Sequence, residues 1–336
     1  MRLNKNIKII LNYVVGPLLF CLLAYSIYHQ IQRQPNWKDS FLQIIRAFDS
    51  TDIWKLMAVC FFMLLNWGLE ARKWQLVIRR IQPISWIQAL KAIFTGTTLA
   101  FFTPNRMGEY IGRVLYIEEG KRIKAVSLTI VCSMAQLLVT IVLGIAGVIF
   151  IRQELLVREG AGSSVIFWMN LVLYISIPVA LILTLFYFKL SLVVRWVEKI
   201  PFIEKFTNYI RVLDNFEAST LLSILSLSVL RYGVFVIQYY WLFDVFKVEL
   251  NEWQVFWSVS VVFLVLAIVP SIALLTELGV RWQTSIEVIR LFSTNVVGIL
   301  ATSLAIWMIN LVIPALVGSL LILNIRLFNL KKNRNE

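Results

Sequence analysis

The chain has 336 residues, 59% of them hydrophobic and only 15% charged, with a mean hydropathy of +0.78. A soluble domain carries about a quarter charged residues, and the apolar residues here come in blocks of about twenty, so alternating barrel strands and a soluble enzyme are both excluded. The net charge of +13 therefore reads as cytoplasmic loops and contact with anionic lipid headgroups, not as a nucleic-acid site.

The pattern predicts an all-α polytopic membrane protein with about six full transmembrane helices, two re-entrant or broken helices and one integral domain over 1–336. Its halves run about 1–151 and 165–325. Arg2, Lys5 and Lys8 precede the apolar run Ile9–Tyr28, which is too long for a signal-peptide core and reads as an uncleaved first span. Trp37, Phe41, Ile44, Ile45 and Phe48 then recur at helical spacing and predict a short amphipathic helix in the interface. The second span is Ile53–Leu69, closed by the charged and aromatic stretch Glu70–Trp74, with Asn66 near its end.

Ile84–Phe102 holds Gln88 and Lys91 and then only about 11 uncharged residues, against the roughly 20 needed to cross. It predicts a re-entrant or broken helix, tolerable where protein or water covers the free backbone groups. Next comes Thr103-Pro104-Asn105-Arg106-Met107-Gly108-Glu109-Tyr110-Ile111-Gly112-Arg113. If a helix starts at Pro104, with Thr103 as its cap, then Arg106, Glu109 and Arg113 share one face near a positive dipole end. The alternative is a surface loop whose charges merely hold a span in place.

Full spans resume at Ala125–Ile151, with a polar stripe of Ser127, Thr129, Ser133, Gln136 and Thr140, and at Val165–Phe188, where Pro178 predicts a kink. Ile203, Phe206, Ile210 and Leu213 mark a basic surface helix. Arg231 lies near the middle of the span Ser219–Phe246 and calls for an ionic partner or a wet cavity, snorkelling being the alternative. Trp253–Leu275 is broken by Pro270, and Glu277, Arg281 and Thr284 then share a helical face, with Gly279 between the two charges. The last span lies within Phe292–Leu323, interrupted by Asn295, Asn310 and Pro314.

With both broken segments returning to the side they left, 22 of the 32 Lys and Arg residues fall on the side of the N-terminus and 8 on the other. That asymmetry predicts cytoplasmic N- and C-termini, and it sets the broken segments on opposite faces as an inverted pair. His29 is the single histidine, and Cys21, Cys60 and Cys132 lack ligand spacing, so neither a metal nor another cofactor is expected.

The pattern Pro104-x-Arg106-x-Gly108-Glu109-x-x-x-Arg113 resembles the transmembrane region of bacterial lysylphosphatidylglycerol synthases and the stand-alone flippase-like proteins of that superfamily. Pro270 through Thr276-Glu277-Leu278-Gly279-Val280-Arg281 is similar to the family's later Pro/Gly/Glu segment, but lacks its Gly-Gly-rich form. The resemblance implies a protein of the bacterial cytoplasmic membrane that handles phospholipid. The full synthases carry aminoacyl transfer on a separate soluble domain, which this chain, ending at Glu336, is expected to lack.

The leading expectation is a lipid flippase, not an enzyme. Arg106 and Arg113 would grip phosphate, since guanidinium groups bind it bidentately. Glu109 and Glu277 would hold those arginines or accept a proton or a cationic headgroup, while Arg231 and Arg281 would complete the substrate site. A membrane transferase acting on a lipid-linked substrate is one alternative. The other is an accessory partner of a synthase or glycosyltransferase, with Gly108-x-x-x-Gly112 as its packing face.

Overall fold

The computed structural model describes residues 36–48, 50–157, 162–190, 211–213, 216–269 and 274–324, with part of 21–32. The expected first span and the surface helix around Ile203, Phe206 and Ile210 fall mostly outside these residues. Among the described residues there are helices and no strands, and five helical segments are long and apolar enough to cross a membrane.

Helix α1 (Trp37–Phe48) is amphipathic as expected, with Asp39 in its first turn and Arg46 in its last, both matching the helix dipole. It packs on the final span, burying Trp37 and Ile44 in part and leaving Ile45 and Phe48 exposed. Helix α2 (Ile53–Ile78) does not stop at Leu69. Its charged residues Glu70 and Lys73 are buried, because they pair with each other and Arg113 and Arg231 from other helices join Glu70 inside the protein. A charge ends a span only where lipid is the alternative environment.

Helix α3 (Trp86–Ala100) starts at a capping box in which Ser85 and Gln88 satisfy each other's backbone N–H groups. Its 15 residues rise roughly 22 Å, short of the ~30 Å hydrocarbon layer. The chain turns at Phe101–Met107 and returns along α3 as α4 (Gly108–Val114). The two helices touch through backbone: a Cβ on Gly112 would sit 2.6 Å from the Gly96 nitrogen, and one on Gly96 would sit 2.8 Å from the Glu109 oxygen. The segment predicted as a re-entrant or broken helix is therefore a broken one, folded back as a hairpin. Its Gly108-x-x-x-Gly112 face is consumed within the chain and is not available to a partner helix.

Helices α5 (Arg122–Val157), α6 (Ser163–Phe188, continuous through Pro178) and α7 (Ala218–Val245) follow. A second hairpin then forms from α8 (Glu252–Ile268) and α9 (Leu274–Ile289); Pro270 lies outside the described residues. Helix α8 opens on a capping box with the same geometry as α3, from Asn251 and Gln254. The last span is α10 (Val296–Trp307) and α11 (Ile313–Asn324), capped at Asn295 and joined by a π-helical turn over Met308–Val312. Pro314, which has no N–H to donate, lies two residues past that widened turn.

Contacts at their ends show that α2 and α7 run antiparallel. Lys55 meets Asp244 and Lys247 meets Asp52 at one end, while Arg80 donates to Thr220 at the other. Hairpin α3–α4 begins where α2 ends, and hairpin α8–α9 begins where α7 ends, so the hairpins enter from opposite faces. The packing is reciprocal: α3 lies against α11, α8 lies against α5, and α2 lies against α7. Even the outer pieces follow the exchange, α1 against α10 and the turn Arg211–Leu213 against α5. This is the contact pattern of two inverted repeats about an axis in the membrane plane.

Candidate functional site

Each hairpin carries the same charged pair on its second helix. Glu109 holds Arg113 on α4, and Glu277 holds Arg281 at 2.9 Å on α9, both four residues apart on one helical face. The α4 pair forms on a helix that starts later than expected. Residues Pro104–Arg106 form a single 3-10 turn with Asn105 and Arg106 at φ 48° and 59°, and the α-helix begins only at Gly108. Thr103 precedes the 3-10 turn without a side-chain cap bond to it and Met107 takes the N-cap position of α4; the Thr103 Oγ1 instead accepts the N–H of Gly108 at 2.6 Å. Seven residues make too short a helix for its end to act as an anion site, so the side chains carry the charge. A left-handed Arg106 costs about 1–3 kcal/mol, a strain typical of residues held in place for function.

Behind these pairs lies a buried ionic network. Glu70, 4% exposed, receives Lys73 at 2.8 Å, Arg113 at 2.9 Å and Arg231 at 2.9 Å. Arg231 also donates from Nε to Asn66 at 2.6 Å, and its guanidinium lies 5.3 Å from the Trp67 ring and 5.7 Å from that of Phe235. Asn66 donates to Asn310 at 3.4 Å, in the π-helical turn, and so ties α2, α7 and the final span together. Counting along the helices from their end contacts puts Glu70 and Arg231 roughly 15–17 Å from the Arg80–Thr220 end and 20–22 Å from the Lys55–Asp244 end. The network is at mid-depth.

In front of it is a cavity of about 260 Å³. Arg106 from the first hairpin, Glu277 and Arg281 from the second, and Arg231 from α7 line it, with Gln136 and Thr140 of the α5 polar stripe on one wall. A smaller recess bordered by the same four charged residues reaches Asn310. Arg281 is steadied by the Tyr239 hydroxyl at 2.9 Å as well as by Glu277.

The structure thus brings Arg106, Arg231, Glu277 and Arg281 to one cavity and places Glu109 and Arg113 elsewhere. Arg113 is 1% exposed, sits between Glu70 and Glu109, and does not line the cavity. The expectation that it grips a substrate phosphate is corrected to a supporting position. Glu109 holds Arg113 and lies 3.7 Å from Arg106, whereas Glu277 holds Arg281 and neither of the first hairpin's arginines. Gly279 sits within α9 between its two charges.

Sequence reading missed Glu70 and Lys73 because a cluster of charges after an apolar run looks like the end of a span. A signal was present: Asn66, Glu70 and Lys73 recur at intervals of four and three, one face of a continuing helix. Among the described residues no group of His, Cys, Asp and Glu is arranged to hold a metal ion.

No curated protein matches the chain. The family model for the lysylphosphatidylglycerol synthase TM region matches residues 13–318, a range that includes both hairpins and every charged residue of the site, and the chain belongs to that family.

Proposed function

We propose that this chain is a lipid flippase of the bacterial cytoplasmic membrane, moving a phosphate-bearing headgroup between leaflets while the acyl chains stay in the bilayer. Membership of the family makes it a membrane protein related to lipid modification or flipping. The observation that carries the finer reading is the mid-depth cavity where Arg106, Glu277 and Arg281 meet from opposite hairpins beside Arg231 of α7.

A charge at the bilayer centre costs about 2.5–3.5 kcal/mol even on the mildest scales, so four of them around one cavity are retained for an ionic cargo or pathway. Inverted repeats offer a route: rocking one hairpin against the other opens the same midplane site to either face in turn. Guanidinium groups suit phosphate oxygens, and a volume of about 260 Å³ fits a headgroup and not a whole lipid. The excess of Lys and Arg on the N-terminal side supports cytoplasmic termini.

The test is a leaflet assay in proteoliposomes with fluorescent anionic phospholipid. Protein should accelerate exchange; Arg106→Ala and Arg281→Gln should slow it at least tenfold, while Arg281→Lys, which keeps a cation beside Glu277, should keep the rate. Unchanged rates in the first two variants would remove the cavity from the mechanism.

A further inference from the structure

The charges around the site do not balance, and the imbalance names a ligand. Five cations (Lys73, Arg106, Arg113, Arg231 and Arg281) face three carboxylates (Glu70, Glu109 and Glu277), a net charge of +2. The excess is concentrated where a ligand can reach it. Glu70 and Glu109 lie behind the cavity, shared among Lys73, Arg113, Arg231 and Arg106, whereas on its walls Arg106, Arg231 and Arg281 face one carboxylate, Glu277. Arg106 and Arg281 border this volume from opposite hairpins.

We infer that the site is matched to a dianionic phosphate monoester at the head of a lipid, in preference to a monoanionic phosphodiester or an aminoacylated, net-cationic headgroup. This rests on the transport reading above and narrows its substrate. A phosphodiester would neutralise one charge and leave the other uncompensated in a low-dielectric site, where an unpaired charge is costly. A monoester carries close to two negative charges near neutral pH and presents three acceptor oxygens, enough for donors arriving from both hairpins at once. The fork geometry of Arg106 and Arg281 favours oxygens on a single phosphorus over two separate anions.

The experiment uses full-length protein in zwitterionic phosphatidylcholine nanodiscs, with native mass spectrometry or fluorescence reading lipid binding. The probes are phosphatidic acid, its methyl ester phosphatidylmethanol, phosphatidylglycerol and inorganic phosphate. Phosphatidic acid should bind at least tenfold more tightly than phosphatidylmethanol, which differs by one methyl group and one charge. Arg281→Gln should erase that preference and Arg281→Lys should keep it, which separates loss of charge from loss of fold. Equal or tighter binding of phosphatidylmethanol or phosphatidylglycerol overturns the inference, as does displacement of phosphatidic acid by equimolar inorganic phosphate, which would make the ligand a free anion. If phosphatidylglycerol is moved between leaflets with no monoester preference, the charge argument fails and the transport reading stands. If no lipid binds and none is moved, both fail.

Discussion

Replacing Glu70 by Gln keeps the shape of the side chain and removes the charge on which three buried cations converge. Lys73, Arg113 and Arg231 approach its two oxygens at 2.8–2.9 Å, and Glu70 is 4% exposed, so water cannot replace the lost charge. Removing one partner of a buried ion pair costs about 3–5 kcal/mol, because the remaining charge is left uncompensated. The glutamine oxygen still accepts a hydrogen bond, which argues for staying within that range instead of adding three separate losses. Glu70→Gln is therefore expected to lower stability by about 3–5 kcal/mol in reversible unfolding in mixed micelles, followed by tryptophan fluorescence. The double variant Glu70→Gln with Lys73→Met should regain at least about 1 kcal/mol, since it removes one of the stranded cations and neighbouring sites couple by about 0.5–3 kcal/mol. A Glu70→Gln loss below about 0.5 kcal/mol, or no recovery in the double variant, would refute the view that this carboxylate holds the helices together.

Gly112→Ala should destabilise by about 1–3 kcal/mol in the same measurement, because its Cβ would overlap the backbone of Gly96 across the hairpin. Gly233→Ala is the matched control: nothing lies within 4 Å of the added carbon, so relief of helix-interior glycine should leave it neutral or up to about 1 kcal/mol more stable. Asn66→Leu strands the Nε–H of Arg231 and should cost about 1–3 kcal/mol, with a smaller loss when Arg231 is already Met. At the rim, hydrogen bonds first from Lys55 and then from Lys247 hold the Asp52 carboxyl below its usual range. A carboxyl lowered in the folded state stabilises the fold above its unfolded value near 3.8 and loses that contribution as pH falls through the folded value. Asp52→Asn should thus be less stable than the parent near pH 7, with the gap closing below about pH 4 in unfolding titrations. A gap independent of pH would assign the effect to packing.

The membrane class, the amphipathic helix α1 and the two broken segments were legible in the sequence because each follows from local counting. The uncharged run of about 11 residues after Lys91 cannot cross ~30 Å whatever surrounds it, and Pro270 interrupts the later segment. The paired motif of glutamate and arginine four residues apart was also visible on both halves. The later start of α4 was not, since the left-handed turn at Asn105 and Arg106 depends on the hairpin folding back onto α3.

The sequence alone determined which residues must leave water and which hold charge: hydropathy, helix length and spacing are properties of the chain itself. Only the tertiary structure decided how those charges are shared. It put Glu70 and Lys73 inside a span instead of at its end, turned Arg113 inward to a supporting position, and brought Arg106 within one cavity of Arg281. The reason is that the cost of a buried charge depends on partners distant in sequence: Glu70 is tolerable where it lies because Arg113 and Arg231 come to it from other helices.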